Sequence, residues 1–268
     1  MGKIIGVISI KGGVGKTTVV ANLATALSSE FGRKILAVDA NFTAPNLGIH
    51  LGIVNKEVTL HDVLKGKVDI SNAIYSVDSC FDLIPASLVG GLSVDVFRLR
   101  RKLQSLKEKY DLILVDSSPN LNDEIIATMV ASDELLVVSS PDYPTLSCTM
   151  HAVKVAKDKK VPITGLIVNR VRNKKYELTI EEIEDATGVP VIGWLPEDEK
   201  VAESLANTIP AVAFAPKRDV SVEYKKLSAC IIGEQYKDNR IWSRVKNFFV
   251  VQDVHKVDVN RELLINKL

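Results

Sequence analysis

The chain has few cysteines, almost no net charge and no long apolar run, and each shortage closes off a class of function. Its three cysteines, Cys80, Cys148 and Cys230, are far apart and form no CxxC pair. That spacing suits neither a disulfide framework nor a cluster-ligating set, and the three read as small buried hydrophobes. A net charge of +1 over 268 residues gives no global field toward nucleic acid or anionic lipid, so any such attraction must come from a local patch. No apolar stretch reaches the ~18 residues that a membrane-crossing helix needs. Met1 leads straight into a strand-like run with no signal-peptide core. Gly6 stands where a myristoylation motif carries Ser or Thr. The expected location is the cytosol. There is also no Pro/Gly/Ser linker, internal repeat or low-complexity segment, which argues against a string of domains.

Seven short apolar runs mark strands: 3–10, 34–40, 81–87, 110–118, 133–140, 163–170 and 189–196. Most are apolar throughout, as parallel strands covered on both faces must be. Amphipathic stretches at 16–31, 92–109, 122–132, 144–159, 177–188 and 197–206 alternate with them. This alternation predicts an α/β fold, a three-layer sandwich around a doubly wound, mostly parallel sheet. One domain is expected over 1–237, followed by a C-terminal extension, 238–268.

The stretch KGGVGKTT (11–18) follows a predicted strand and opens a predicted helix. Gly12, Gly13, Val14, Gly15, Lys16, Thr17 and Thr18 fit a phosphate-binding loop, although Ile10 stands where the GxxxxGK[ST] pattern has its first glycine. Glycines let main-chain N–H groups approach an anion, and the positive end of the helix favours it. Lys16 would reach the β/γ oxygens, and the Thr17 hydroxyl would ligate Mg²⁺. Lys11 is then a second lysine in a loop that needs only one.

KGGVGKTT resembles the deviant Walker A signature of the MinD/ParA family of P-loop NTPases, with archaeal MinD-like proteins the nearest likeness. The resemblance implies ATP/ADP and Mg²⁺ as ligands and an ATP-dependent homodimer in which Lys11 crosses to the partner's nucleotide. LAVDANFTAPNLG (36–48) resembles the family's switch I, and YDLILVDSSPNLND (110–123) its Walker B and switch II. Asp39 and Asp116 would serve the Mg²⁺ and water network, with Lys11 and Lys16 as the other catalytic groups. VNR (168–170) and GWLPED (193–198) are similar to the base-recognition segments. Asn169 would bond adenine, and Arg170, Pro196, Glu197 and Asp198 would lie near it. These matches run in order along about 235 residues of the chain.

One departure bears on rate. Asn41 replaces the family's second switch I aspartate. It has no charge and cannot take a proton, so slow hydrolysis is expected. The alternatives are ordinary turnover, or a nucleotide-binding switch with little hydrolysis. A second departure is Asn120, which replaces the usual switch II glycine and tolerates positive φ better than most residues.

Two surfaces compete as the target of such an ATPase. In NRIWSRVKNFFVV (239–251), Ile241, Trp242, Val245, Phe248 and Phe249 share one helical face beside basic residues. That pattern suits a helix lying in a membrane interface, docked on its own domain, or bound to a partner. In MinD the targeting helix ends the chain, whereas here 17 further residues follow. The second surface is RLRRKLQSLKEKY (98–110), whose Arg98, Arg100, Arg101, Lys102, Lys107 and Lys109 suit non-specific DNA binding or simply a solvated face. The sequence leaves the activator or cargo protein unnamed. The expected function is a MinD-type positioning ATPase, cytoplasmic or peripheral on the inner face of the membrane. A ParA-like partition ATPase on DNA is the alternative.

Overall fold

The computed structural model describes residues 2–78, 80–88, 94–238, 240 and 252–267. All seven apolar runs become parallel strands: β1 (Lys3–Ile8), β2 (Ile35–Ala40), β4 (Phe81–Ile84), β5 (Leu112–Ser117), β6 (Glu134–Ser139), β7 (Ile163–Val171) and β8 (Val191–Pro196). An antiparallel edge strand, β3 (Tyr75–Val77), adds to β4. The order among described residues is β3-β4-β2-β5-β1-β6-β7-β8. The chain winds outward on both sides of β1, which puts a topological switch at its carboxyl end, where α/β sheets bind ligands.

Helices cover both faces. On one face α1 (Lys16–Ser29), α2 (Leu47–His50) and α10 (Asp219–Ile231) bury Val19, Leu23, Leu27, Tyr224 and Leu227 against Ile5 and Val7 of β1. On the other, α3 (Leu60–Leu64), α4 (Leu99–Gln104) and α5 (Asp123–Ala131) pack on Ile4. There α6 (Tyr143–Asp158) and α7 (Ile180–Thr187) pack near Ile8. Successive β1 residues thus serve opposite layers, as the two-residue period of a strand dictates. The short helices α8 (Glu199–Ala206) and α9 (Ala211–Phe214) connect β8 to α10. No helix among the described residues is long and apolar enough to cross a membrane.

Four sequence expectations need correction. The stretch 92–109 is not one helix, because a 3₁₀ turn, Val96–Arg98, precedes the six-residue α4. Helix α10 and strand β3 went unread. Ten α10 residues are buried, with Ser221, Lys225 and Ser228 among them, so no single apolar stripe marks it. Lys225 is tolerated there because it pairs with Glu30 at the end of α1. Of the cysteines, only Cys230 is buried; Cys80 and Cys148 are partly exposed.

The last helix, α11 (Gln252–Ile265), lies against the outer edge strand β8 and against α10. Edge strands present unpaired backbone carbonyls. Asn260 Nδ2 donates to the Val191 carbonyl at 2.8 Å, and Arg261 Nε donates to that of Ile192 at 2.7 Å. The Arg261 guanidinium also pairs with Glu223 of α10 at 3.0 Å and is only 5% exposed. The Arg261→Ala variant removes one of the two cations on Glu223, Lys226 remaining, and should cost about 2 kcal/mol. Urea unfolding measures this, and an unmoved midpoint would mean that α11 adds nothing.

Candidate nucleotide-binding site

The loop between β1 and α1 is shaped by two glycines. Gly13 has φ 78° and Gly15 φ 96°, conformations that side chains rarely adopt. A Cβ on Gly15 would also stand 2.3 Å from Asn169 Nδ2. Gly15 is the N-cap of α1 and makes no side-chain cap. The first-turn N–H groups of α1 are therefore left for an anion, favoured there by the helix dipole.

Beneath the loop, the Thr17 hydroxyl donates to Asp116 Oδ2 at 2.7 Å. Lys16 is 7% exposed, and burial pulls its ammonium pKa below the ordinary value, with the Asp116 carboxylate opposing. Asp39 and Asp116 are register partners at the carboxyl ends of β2 and β5. Burial, and then the neighbouring Asp116, push the Asp39 carboxyl up. Burial pushes Asp116 up as well, against the Thr17 hydroxyl and Lys16. Asp116 Oδ1 is buried and has no hydrogen-bond partner. An orphaned carboxylate oxygen beside a threonine hydroxyl fits Mg²⁺, a hard cation that takes oxygen ligands. Among the described residues no group of three or more His, Cys, Asp or Glu is placed to hold a metal, so the remaining ligands would be phosphate and water oxygens.

Asp39, beside Asp116, is also held by main-chain donors. Its Oδ1 accepts the Asn41 N–H at 3.1 Å, and its Oδ2 accepts those of Asn46 and Leu47 at 3.1 and 3.0 Å. It thus holds the 41–47 loop and the start of α2. Asn41 closes a local turn, its Nδ2 donating to the Ala44 carbonyl and its Oδ1 accepting the Ala44 N–H. An aspartate could not make the first of these bonds. In the second switch segment Asn120 has φ 72°, and its N–H donates to the Ile10 carbonyl at 2.8 Å.

Lys11 reaches the start of α6. Its Nζ lies 2.7 Å from Thr145 Oγ1 and 3.3 Å from Asp142 Oδ1. Asp142 is the N-cap of α6 and also accepts the Thr145 N–H. Both side chains of the ion pair are more than a third exposed, so the pair is weak and breaks readily.

The two segments expected beside the base converge as strand neighbours. Val171 pairs with Pro196, and the Glu197 N–H donates to the Val171 carbonyl. Arg172 forms a two-point pair with Glu197, and Arg218 one with Asp198, the N-cap of α8. Arg170 holds φ 60° between Asn169 and Val171, an uncommon conformation for a side-chain-bearing residue. Asn169 is buried, and its Nδ2 donates to the Val14 carbonyl at 2.8 Å, bracing the phosphate loop from below.

Sequence reasoning missed Asp142 and Thr145, whose only trace is an N-cap pattern, and Glu124, which looks like an ordinary acid in a first helical turn. The basic stretch 98–110 is partly engaged: Arg98 with Asp95 and the Leu64 carbonyl, Arg100 with the Val130 carbonyl, Lys107 with Asp133. The aromatic segment 239–251 lies outside the described residues apart from Arg240, which bonds Asp219, Asp238 and the Lys217 carbonyl.

A glycine-shaped loop opening a helix, with a lysine and a threonine–aspartate pair beneath it, defines a P-loop nucleotide-binding domain. The family model of the CobQ/CobB/MinD/ParA nucleotide binding domain matches residues 5–211, and the chain belongs to this family. It is 35% identical to an ATP-binding protein of Methanocaldococcus jannaschii, over 87% of this chain and 89% of that one. It is 26% identical to the septum site-determining protein MinD of Bacillus subtilis, over 94% of this chain and all of that one. Its fold matches that of MinD complexed with Mg-ADP from Pyrococcus horikoshii at a TM-score of 0.82 and 35% identity, over 86% of this chain and 96% of that one.

Gly15→Ala should distort the phosphate loop locally, by the strain at φ 96° and the clash with Asn169, and weaken Mg-ADP binding about ten-fold or more, roughly 1.4 kcal/mol. Calorimetric titration checks this. Unchanged affinity would mean that the nucleotide does not sit on this loop.

Proposed function

We propose that the protein is a nucleotide switch of MinD type that binds Mg-ATP, hydrolyses it slowly and forms a homodimer only with ATP. The observation that carries this reading is the Thr17–Asp116 bond with Asp116 Oδ1 left unpartnered beside buried Lys16. Thr17 and Asp116 would hold Mg²⁺, which neutralises charge on the phosphates. The main chain of Gly12 to Gly15 and the first turn of α1 would bind the phosphates, with Lys16 and Thr18. Asn169, Arg170 and the Pro196–Asp198 segment would border the base.

Lys11 then has two alternative partners. Without ATP it rests on Asp142 and Thr145 of its own chain. With ATP it would turn to the partner's phosphates, whose charge exceeds that of one partly exposed carboxylate. Light scattering after size exclusion tests this with a non-hydrolysable ATP analogue and with ADP. Wild type should be dimeric with the analogue alone, and Lys11→Ala monomeric throughout. A wild-type monomer in every condition would refute dimerisation.

Slow turnover follows from switch I, where Asn41 is closed on Ala44 and Asp39 is occupied by backbone N–H groups. Asn41→Asp puts a carboxylate against the Ala44 carbonyl, opens that turn and restores a charge near the attacking water. Steady-state phosphate release at saturating ATP should rise, and an unchanged or lower rate would contradict this account. The surface on which the switch acts is a membrane, reached through 239–251. Of the residues around that segment, Arg240 bonds Asp219 of α10 and Arg261 of α11 bonds β8. DNA is disfavoured because half of the basic stretch is already engaged.

A further inference from the structure

The loop 41–47 makes little use of ordinary main-chain pairing, and its N–H groups go largely to three side chains. Asp39 takes those of Asn41, Asn46 and Leu47, and Asn41 takes that of Ala44. The third side chain, Glu124, comes from another element. It lies in the first turn of α5, 3% exposed, and its Oε2 accepts the Phe42 N–H at 3.2 Å. Its Oε1 accepts the Thr43 hydroxyl at 2.5 Å. A buried carboxylate is costly unless its oxygens are bonded, and here both are bonded to switch I. Phe42, 2% exposed, anchors the same loop by packing edge-on against His61 of α3, ring centroids 5.2 Å apart.

The same end of α5 leads back to the phosphate loop. Asn122 caps α5 by accepting the Ile125 N–H, and the Ser118 hydroxyl donates to the same Asn122 oxygen. Two residues back, the Asn120 N–H donates to the Ile10 carbonyl. A displacement of 117–122 by an incoming γ-phosphate would therefore shift the first turn of α5, and with it Glu124. Among the described residues no other side-chain hydrogen bond joins 41–47 to α5.

We propose that Glu124 is a positioning residue that couples the two switch segments, transmitting the state of 117–122 to 42–43. The proposal rests on the ATPase reading above, and its test separates the two. Three variants serve. Glu124→Ala breaks both bonds. Glu124→Gln retains them, since its carbonyl oxygen accepts from Phe42 and its amide donates to Thr43. Thr43→Val, at an exposed site, removes one bond without touching the core. Amide hydrogen exchange of 42–44 is followed without nucleotide, beside ATP turnover and KM.

In Glu124→Ala, exchange at Phe42 should speed about ten-fold as the loop opens locally. Its kcat should fall about ten-fold with KM for ATP unchanged, the mark of lost positioning rather than lost binding. Thr43→Val should be intermediate, and Glu124→Gln close to wild type. Unchanged exchange in both Glu124→Ala and Thr43→Val would overturn the proposal, as would a Glu124→Gln that behaves like the alanine variant. If Glu124→Ala fails to fold, Thr43→Val carries the same test. A wild type without turnover would remove the ATPase reading, while the exchange results would still decide whether Glu124 holds the loop.

Discussion

A carboxylate that the fold buries and leaves half unsatisfied is the constraint on which the site depends. Asp116 sits at the carboxyl end of a central parallel strand, beside a second buried carboxylate, with one oxygen on Thr17 and the other on nothing. No protein donor among the described residues reaches that oxygen. A folded chain tolerates such a group where a ligand supplies what is missing. The glycine conformations above it, the buried Lys16 and the uncapped start of α1 point to the same ligand, a phosphate chain carrying a divalent cation. The β1 switch point explains why they meet there.

Around that fixed centre are contacts built to change. Lys11 rests on a partly exposed carboxylate that a stronger anion can displace. The 41–47 loop is held by side chains rather than by a ladder, so few bonds need to break for it to move. The α11 helix is the opposite case. Its Asn260 and Arg261 bond the edge-strand backbone directly, and Arg261 is buried with its ion pair. The C-terminal extension is thus fastened to the domain beyond the aromatic segment, unlike a free tail.

The strands and the phosphate loop were legible in the sequence because their signals are contiguous. An apolar run of six residues or a glycine–lysine–threonine string carries its meaning without a distant partner. Asn120 was legible for the same reason, since its positive φ is a local property. The unread parts rest on partners far along the chain. Helix α10 is buried on nearly every side and shows no stripe. Asp142 matters through a lysine 131 positions away, and Glu124 through residues 81 and 82 positions away. Asn41 reads in the sequence only as an uncharged side chain. That its amide closes a turn on Ala44 needed coordinates. Arg98, Arg100 and Lys107 looked like a basic face, yet each has a partner brought by the fold.

The most direct measurement is nucleotide titration with and without Mg²⁺, for wild type and Asp116→Asn. Asparagine keeps the size and can still accept from Thr17, but it removes the charge. Wild type should bind ATP more tightly with Mg²⁺ than with a chelator, and the variant should show no difference between them. Equal wild-type affinity in both conditions, or full Mg²⁺ dependence in the variant, would contradict the assignment of the orphaned Asp116 oxygen to the cation.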